Sequence, residues 1–378
     1  MAYAAVYDAN GLMVNGGEGA ELLGEDGRRY VDFSCGHGAA IFGHAHPRLV
    51  EALEEASRRP WTIGSRLREP HREALLEKIG SLLEGGKAFL CNSGAEAIEA
   101  ALKLVTVVRP DRKRILALRR SFHGRTLGAL SLTFNPRYRN PWQRLLVPVE
   151  HVSMEEAAGA IDENTAAVFV EPVQGEGGVH VMPKDVGSAI TSACRKYGAV
   201  LVADEIQTGW GRCGKILASP LVGLEPDIVC LAKGMAGGLP IGAAVWKGSL
   251  GDFPTMGHGS TYGGNPLVSS VALASWEILH EDGFLEGVME RAERFRASLL
   301  RIKSPRVKEV RGMGLMYGVE LSSIKATPVL QALQHKGVVA LPAGPTVVRF
   351  LPPLVAQDHH FDRVASAFGE ALEECADE

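Results

Sequence analysis

Two runs decide the fold: Ala199-Val200-Leu201-Val202-Ala203, closed by Asp204, and Ile228-Val229-Cys230-Leu231-Ala232, closed by Lys233. Short, β-branched apolar runs that end at polar or turn residues read as buried strands. Similar runs cover 88–91, 114–118 and 166–170, the last closed by Glu171 and Pro172. Helical patterns lie between them, over 95–108 and 185–197. This alternation predicts class α/β: a large domain with a mostly parallel sheet flanked by helices. In open sheets of this kind ligands gather at the carboxyl ends of the strands, so Asp204 and Lys233 are expected to face one crevice.

Outward from that centre, 17–33 predicts a hairpin about Glu25-Asp26-Gly27, and 47–57 predicts a helix. Beyond about residue 267 the pattern changes. Helices are expected over 268–280 and 285–302, then strands over 307–310 and 313–320. A helix at 326–336, a strand at 347–350 and a last helix at 358–375 follow. The expected organisation is an N-terminal segment (1–45) that belongs to the small domain, a large domain (46–267) and a smaller α+β C-terminal domain (268–378).

The 378 residues are 46% apolar and 22% charged, with a net charge of −4. That balance is ordinary for a globular enzyme and argues against a nucleic-acid binder or a polybasic membrane anchor. Six cysteines without a C-x-x-C pair point to a reducing compartment, and so to the cytoplasm. Residues 1–8 lack the basic and apolar regions of a secretory signal, and no segment approaches a membrane span.

A lysine desolvated at a strand end has a depressed pKa and becomes nucleophilic; it can form an imine with an aldehyde. A carboxylate such as Asp204 can hold a pyridine nitrogen protonated. Together they are the protein half of a pyridoxal 5'-phosphate (PLP) site. Asn92-Ser93-Gly94-Ala95-Glu96 stands between a strand and a helix. Ser93 and Glu96 have capping-box spacing, and the same helix start offers free N–H groups to a phosphate. Phe122, in Phe122-His123-Gly124-Arg125-Thr126, can stack on a ring, and the Arg125 guanidinium suits a carboxylate. Arg349, inside the apolar run 347–350, needs a partner of opposite charge.

Two patterns invite other readings. Gly209-Trp210-Gly211-Arg212-Cys213-Gly214 matches G-x-G-x-x-G, but it does not open a helix directly after a strand. It reads as a turn-rich loop. His44 and His46 lack the partners of a metal site, and none is expected.

Together these motifs resemble the class III (subgroup II) PLP-dependent aminotransferases, in the acetylornithine aminotransferase branch. The resemblance rests on Asn92–Ala97, Phe122–Thr126, Glu171-Pro-Val-Gln-Gly-Glu-Gly-Gly178, Asp204–Gly209, Lys233-Gly234 and Ser260-Thr-Tyr-Gly-Gly-Asn-Pro266. It implies the PLP-dependent transferase fold type I. By that resemblance Lys233 would carry the cofactor and move the proton, and Asp204 would bind the ring nitrogen. Gln207 would bind the phenolic oxygen and Phe122 would cover the ring. Ser93, Gly94 and Ala95 would hold the phosphate, joined by Thr261 from a second subunit, which implies a homodimer with shared active sites. Arg125, Ser260 and His37 would meet the substrate. Glu176 and Arg349 would form a gate in which Arg349 binds glutamate when Glu176 releases it.

The implied reaction moves the terminal amine of N2-acetylornithine to 2-oxoglutarate, giving a semialdehyde and glutamate. By the resemblance His37, where several relatives carry Tyr, would line the substrate entrance, and the segments 135–141 and 343–353 are similar to the branch that acts on lysine held by an amino-group carrier protein. Such a carrier should be acidic, and Arg66, Arg68, Arg137, Arg139 and Arg144 could form a basic rim for it. Readings of other classes are a nicotinamide (NAD)-dependent dehydrogenase using 209–214, and a non-catalytic binding partner.

Overall fold

The computed structural model describes Val6, residues 11–64 and residues 66–375. Apart from Val6, the stretch 1–8 lies outside them. The central sheet has seven strands in the order Lys87–Cys91, Gly242–Trp246, Ile228–Leu231, Val200–Asp204, Thr165–Val170, Arg114–Leu118 and Glu150–Val152. Gly242–Trp246 runs antiparallel to both of its neighbours, and the pairings on from Ile228–Leu231 are all parallel. The expected mostly parallel sheet is present. Its single antiparallel member was not foreseen.

Strand alternation sorts the sheet's two faces. Val200, Val202, Ala117 and Phe169 pack with Ile98, Ala101, Leu104 and Val105 of helix Gly94–Val108. Leu201, Leu116, Leu118 and Val168 pack with Ile190 and Cys194 of helix Lys184–Tyr197 on the other side. Both faces are covered, so the strands read as continuous apolar runs. Each buried Val or Leu contributes roughly 1.5–3 kcal/mol, which leaves polar residues only at the strand ends.

The predicted hairpin is Glu21–Gly24 with Arg29–Asp32, extended by Val14–Glu18 on one side and by Val338–Val339 on the other. The chain's two ends therefore share a sheet. Another sheet joins Val307–Gly312, Tyr317–Leu321, Val347–Phe350 and Leu341–Pro342. The strand expected over 313–320 is divided. Gly314 stands at φ +56°, and the Leu315 N–H donates to Arg212 O at 3.0 Å, so 313–316 turn toward the 209–214 segment instead of extending. Helix Pro266–Leu279 packs on helices Pro47–Ser57 and Pro70–Gly80; the last of these was not predicted. Among the described residues no helix is long and apolar enough to cross a membrane, and no cluster of metal-ligating side chains occurs.

Candidate active site

The parallel strands deliver their polar ends to one cavity of about 300 Å³. Strand Lys87–Cys91 leads into Asn92–Ala95, and Arg114–Leu118 leads to Phe122 and His123. Thr165–Val170 ends at Glu171, Val200–Asp204 ends on Asp204, and Ile228–Leu231 precedes Lys233. All of these line the cavity, together with Glu176 and Gln207. A larger open hollow, between Glu281–Phe284 and Val355–His359, is lined by none of them.

Lys233 adopts φ +43°, a left-handed conformation that costs a non-glycine residue about 1–2 kcal/mol. Strain of this kind persists where the surroundings impose it, commonly at functional sites. Among the described residues the Lys233 amine has no hydrogen bond or ion pair. Burial lowers its pKa, and Arg349 adds to the effect; the charges of Glu176, Asp204 and Glu171 oppose it. The result is an amine that loses its proton more readily than an ordinary lysine.

Asp204 is held from two sides. One carboxylate oxygen lies 2.8 Å from His123 Nδ1, and the other accepts the Ile206 N–H at 3.0 Å. His123 is itself buried, and its Nε2 has no partner. Glu205 turns the other way, to Ser219 and Thr208, and of the two acids only Asp204 lines the cavity. Glu171 accepts the Phe122 N–H at 2.8 Å. Burial, reinforced by the charge of Asp204, pushes its carboxyl well above the usual range. Neither His123 nor Glu171 was given a site role from sequence, although both stand inside quoted motifs.

Ser93 caps helix Gly94–Val108 by accepting the Glu96 N–H at 3.2 Å. The N–H groups of the first helical positions have no partner within a helix, so Gly94 and Ala95 can present theirs to an anion. A Cβ on Gly94 would meet Ile206 at 2.8 Å, so the wall is shaped for glycine. An unpartnered low-pKa amine, a fixed carboxylate, an aromatic wall and an anion cradle together fit a phosphorylated pyridine aldehyde.

The remaining predicted residues, Arg349, His37, Arg125, Ser260 and Thr261, are not among the walls of this cavity. Arg349, only 1% exposed, pairs with Glu176 at 2.7 Å and donates to Gln207 Oε1 at 3.1 Å. Burial alone would raise Glu176, but Arg349 and Lys233 together hold it below the usual carboxylate range. His37 is exposed, on a left-handed turn that includes Cys35, Gly36 and Gly38. Although His37 keeps surface exposed, the protein around its ring displaces part of the water there and lowers its pKa, against the charge of Glu176. Arg125 is exposed and lies over the Tyr138 ring. Ser260 Oγ accepts from Asn92 at 3.1 Å, and the exposed Thr261 is not among the walls of its own subunit's cavity. The glycine-rich 209–214 segment is a loop packed on Leu279, Leu354 and Met289, with no helix opening from it. His44 bonds Asp32 at 2.9 Å.

The family model described as Aminotransferase class-III matches residues 2–372. The chain belongs to the class-III aminotransferases. Among curated relatives of these aminotransferases, it is 40% identical to a LysW-aminoadipate semialdehyde transaminase of Deinococcus radiodurans, over 98% of this chain and 88% of that one. It is 37% identical to an acetylornithine aminotransferase of Methanocaldococcus jannaschii, over 98% and 95%. Among solved structures, an ornithine aminotransferase from Toxoplasma gondii, whose title reports partial occupancy of PLP, superposes with a TM-score of 0.93 at 30% identity, covering 100% of this chain and 93% of that one. The fold is that of PLP-dependent aminotransferases, and the coenzyme of this class-III aminotransferase is PLP.

Proposed function

We propose that this aminotransferase transfers the terminal amino group of N2-acetylornithine to 2-oxoglutarate, giving N-acetylglutamate 5-semialdehyde and glutamate. Bound PLP supplies an aldehyde that links to amines and a ring that draws electrons from the reacting carbon. The chain's residues do the rest. Asp204, oriented by His123, keeps a negative charge at the ring-nitrogen end of the cavity. Ser93, Gly94 and Ala95 hold the phosphate, Phe122 covers one ring face, and Gln207 reaches the phenolic oxygen. Lys233 Nζ takes and returns the proton at the carbon that bears the transferred amine. Arg125 binds the donor's α-carboxylate near Ser260 and His37.

The observation that carries this reading is the Arg349–Glu176 pair at 2.7 Å beside the unpartnered Lys233 amine. Paired, it presents a neutralised wall to the acylated donor. Opened, it frees a guanidinium for the carboxylate of glutamate or 2-oxoglutarate. One cavity can thus serve both halves of a ping-pong exchange.

We further infer a cytoplasmic homodimer with shared active sites, Thr261 reaching the partner's phosphate site. The segment 1–45 joins 268–378 in a small domain beside 46–267. Free thiols at Cys35, Cys91, Cys194, Cys213 and Cys230 agree with a reducing compartment.

A second reading, carrier-linked lysine as donor or a dual enzyme, is favoured by the segment 135–147. It contains three arginines and no acid, with Trp142 and Leu145 exposed among them. That composition suits an acidic carrier protein, and relatives named for LysW-linked substrates are among those matched. Of the other rim candidates Arg68 is already tied to Glu73. Steady-state turnover with N-acetylornithine and with the carrier-linked donor, each against 2-oxoglutarate, tests the choice. Efficient turnover of free N-acetylornithine is expected. Turnover of the carrier-linked donor alone would transfer the assignment to the second reading, and turnover of neither would overturn both.

A further inference from the structure

The Arg125 guanidinium forms no ion pair among the described residues. Its Cζ lies 3.6 Å from the Tyr138 ring centroid and 5.5 Å from that of Phe122. The two rings meet edge to face at 6.2 Å and 85°. The segment that carries Tyr138 is laced to the loop that carries Phe122. The His123 N–H donates to Thr133 Oγ1 at 2.9 Å, Thr133 Oγ1 donates to Gly124 O at 3.1 Å, and the Phe134 N–H donates to Ser121 O at 2.9 Å. Tyr138 and the cavity wall are therefore parts of one frame. The Tyr138 hydroxyl makes no hydrogen bond among the described residues, so the ring face is what Tyr138 offers.

A guanidinium stacked on a ring face keeps its N–H donors in the plane, at its edge, free for bidentate contact with a carboxylate. An exposed arginine without such a platform samples many rotamers and loses that freedom on binding. We propose that Tyr138 is a positioning residue: it holds Arg125 in the orientation that receives the donor's α-carboxylate, and so sets affinity for carboxylate-bearing donors. This rests on the reading of Arg125 given above. Tyr138 touches no reacting atom.

The test uses the holoenzyme with 2-oxoglutarate as acceptor and two donors, N-acetylornithine and N-acetylputrescine, which is the same amine without the carboxyl group. Tyr138→Leu is expected to raise the KM for N-acetylornithine about tenfold, as loss of a cation–π platform would, with kcat within about twofold. The kcat/KM for N-acetylputrescine should change by less than about twofold. Tyr138→Phe should restore the wild-type KM. In an Arg125→Leu background, Tyr138→Leu should add nothing further.

Equal losses on both donors would overturn the proposal, because they mark a general structural role. So would a Phe variant as impaired as the Leu variant, or an unchanged KM in Tyr138→Leu. Arg125→Leu alone separates the two layers. If it leaves the KM for N-acetylornithine unchanged, the reading of Arg125 fails and the proposal fails with it. If Arg125→Leu raises the KM and Tyr138→Leu does not, only the role of Tyr138 is lost.

Discussion

Lys233, Glu176, Arg349 and Glu171 show how much of this site is electrostatic bookkeeping between neighbours. Arg349 is buried and would be costly there alone; Glu176 offsets its charge, and in the proposed gate the pair would separate for Arg349 to bind an acid substrate. Arg349→Ala removes a charge-assisted bidentate partner for glutamate, whereas the acylated donor loses only the neutralisation of Glu176. The kcat/KM for glutamate is expected to fall about a hundredfold, and that for N-acetylornithine less than about fivefold. Equal losses in steady-state assays would count against the gate. Glu171 gives a pH prediction. Its ordinary pKa is 4.5, and burial, with the charge of Asp204, raises it well above that in the folded chain. Above 4.5 the unfolded chain gives up this proton while the folded chain keeps it. Stability should therefore fall as pH rises through that window, by up to about 1.4 kcal/mol per pH unit. Glu171→Gln stays neutral and can still accept the Phe122 N–H, so it should flatten this part of the profile. Urea midpoints measured from mildly acidic to mildly alkaline pH would show it; parallel curves for the two proteins would reject the raised pKa.

At the scale of elements, the site depends on the strand Gly242–Trp246. A Cβ on Gly242 would meet Ser93 O at 2.3 Å and Cys91 Sγ at 3.0 Å. Gly242 thus fixes how closely this strand approaches the phosphate-side loop. Gly242→Ala should displace Ser93, weaken PLP binding to the apoenzyme by about tenfold, and cost about 1–3 kcal/mol of stability, as overpacking does. Absorbance titration with PLP checks the first effect and chemical denaturation the second; an unchanged PLP affinity would refute the linkage. The strands that end at Asp204 and Lys233 were legible because burial on both faces excludes polar residues until the strand stops. Gly242–Trp246 was not legible, because small residues after a glycine-rich loop carry no period and its antiparallel pairing is a property of its neighbours. The division of 313–320 escaped for a similar reason: its turn is fixed by contact with Arg212, about a hundred positions away in sequence. Of the Phe122–Thr126 motif, Phe122 is a wall of the cavity, whereas Arg125 is exposed and outside those walls. The contact of His123 with Asp204 and the stack of Arg125 on Tyr138 exist only once the chain is folded.

At the scale of the whole molecule, Thr261, proposed to hold the phosphate, is exposed and outside the cavity walls of this chain. Nearby large apolar groups are exposed as well. Tyr262 is 61% exposed and Leu67 61%; the Arg72 guanidinium bonds Leu67 O, and its side chain would meet a Cβ on Gly264, two residues from Tyr262. Such exposed groups would suit the face of the proposed dimer. A closed two-fold dimer would place the same patch of each subunit against its mate, so each Thr261 would serve the opposite cavity. Co-expression decides whether it does. Lys233→Ala removes the reactive amine, and Thr261→Asp sets a negative charge against the phosphate; each homodimer should be inactive. In a mixed dimer with Thr261 acting across the interface, the subunit with intact Lys233 receives an intact Thr261 from its mate, and one site works. With Thr261 acting in its own subunit, every site carries one lesion and the mixed dimer stays silent. Recovered activity in dimers purified through two different tags is the expected result. Its absence, with both subunits present and PLP bound, would reject the action of Thr261 across the interface.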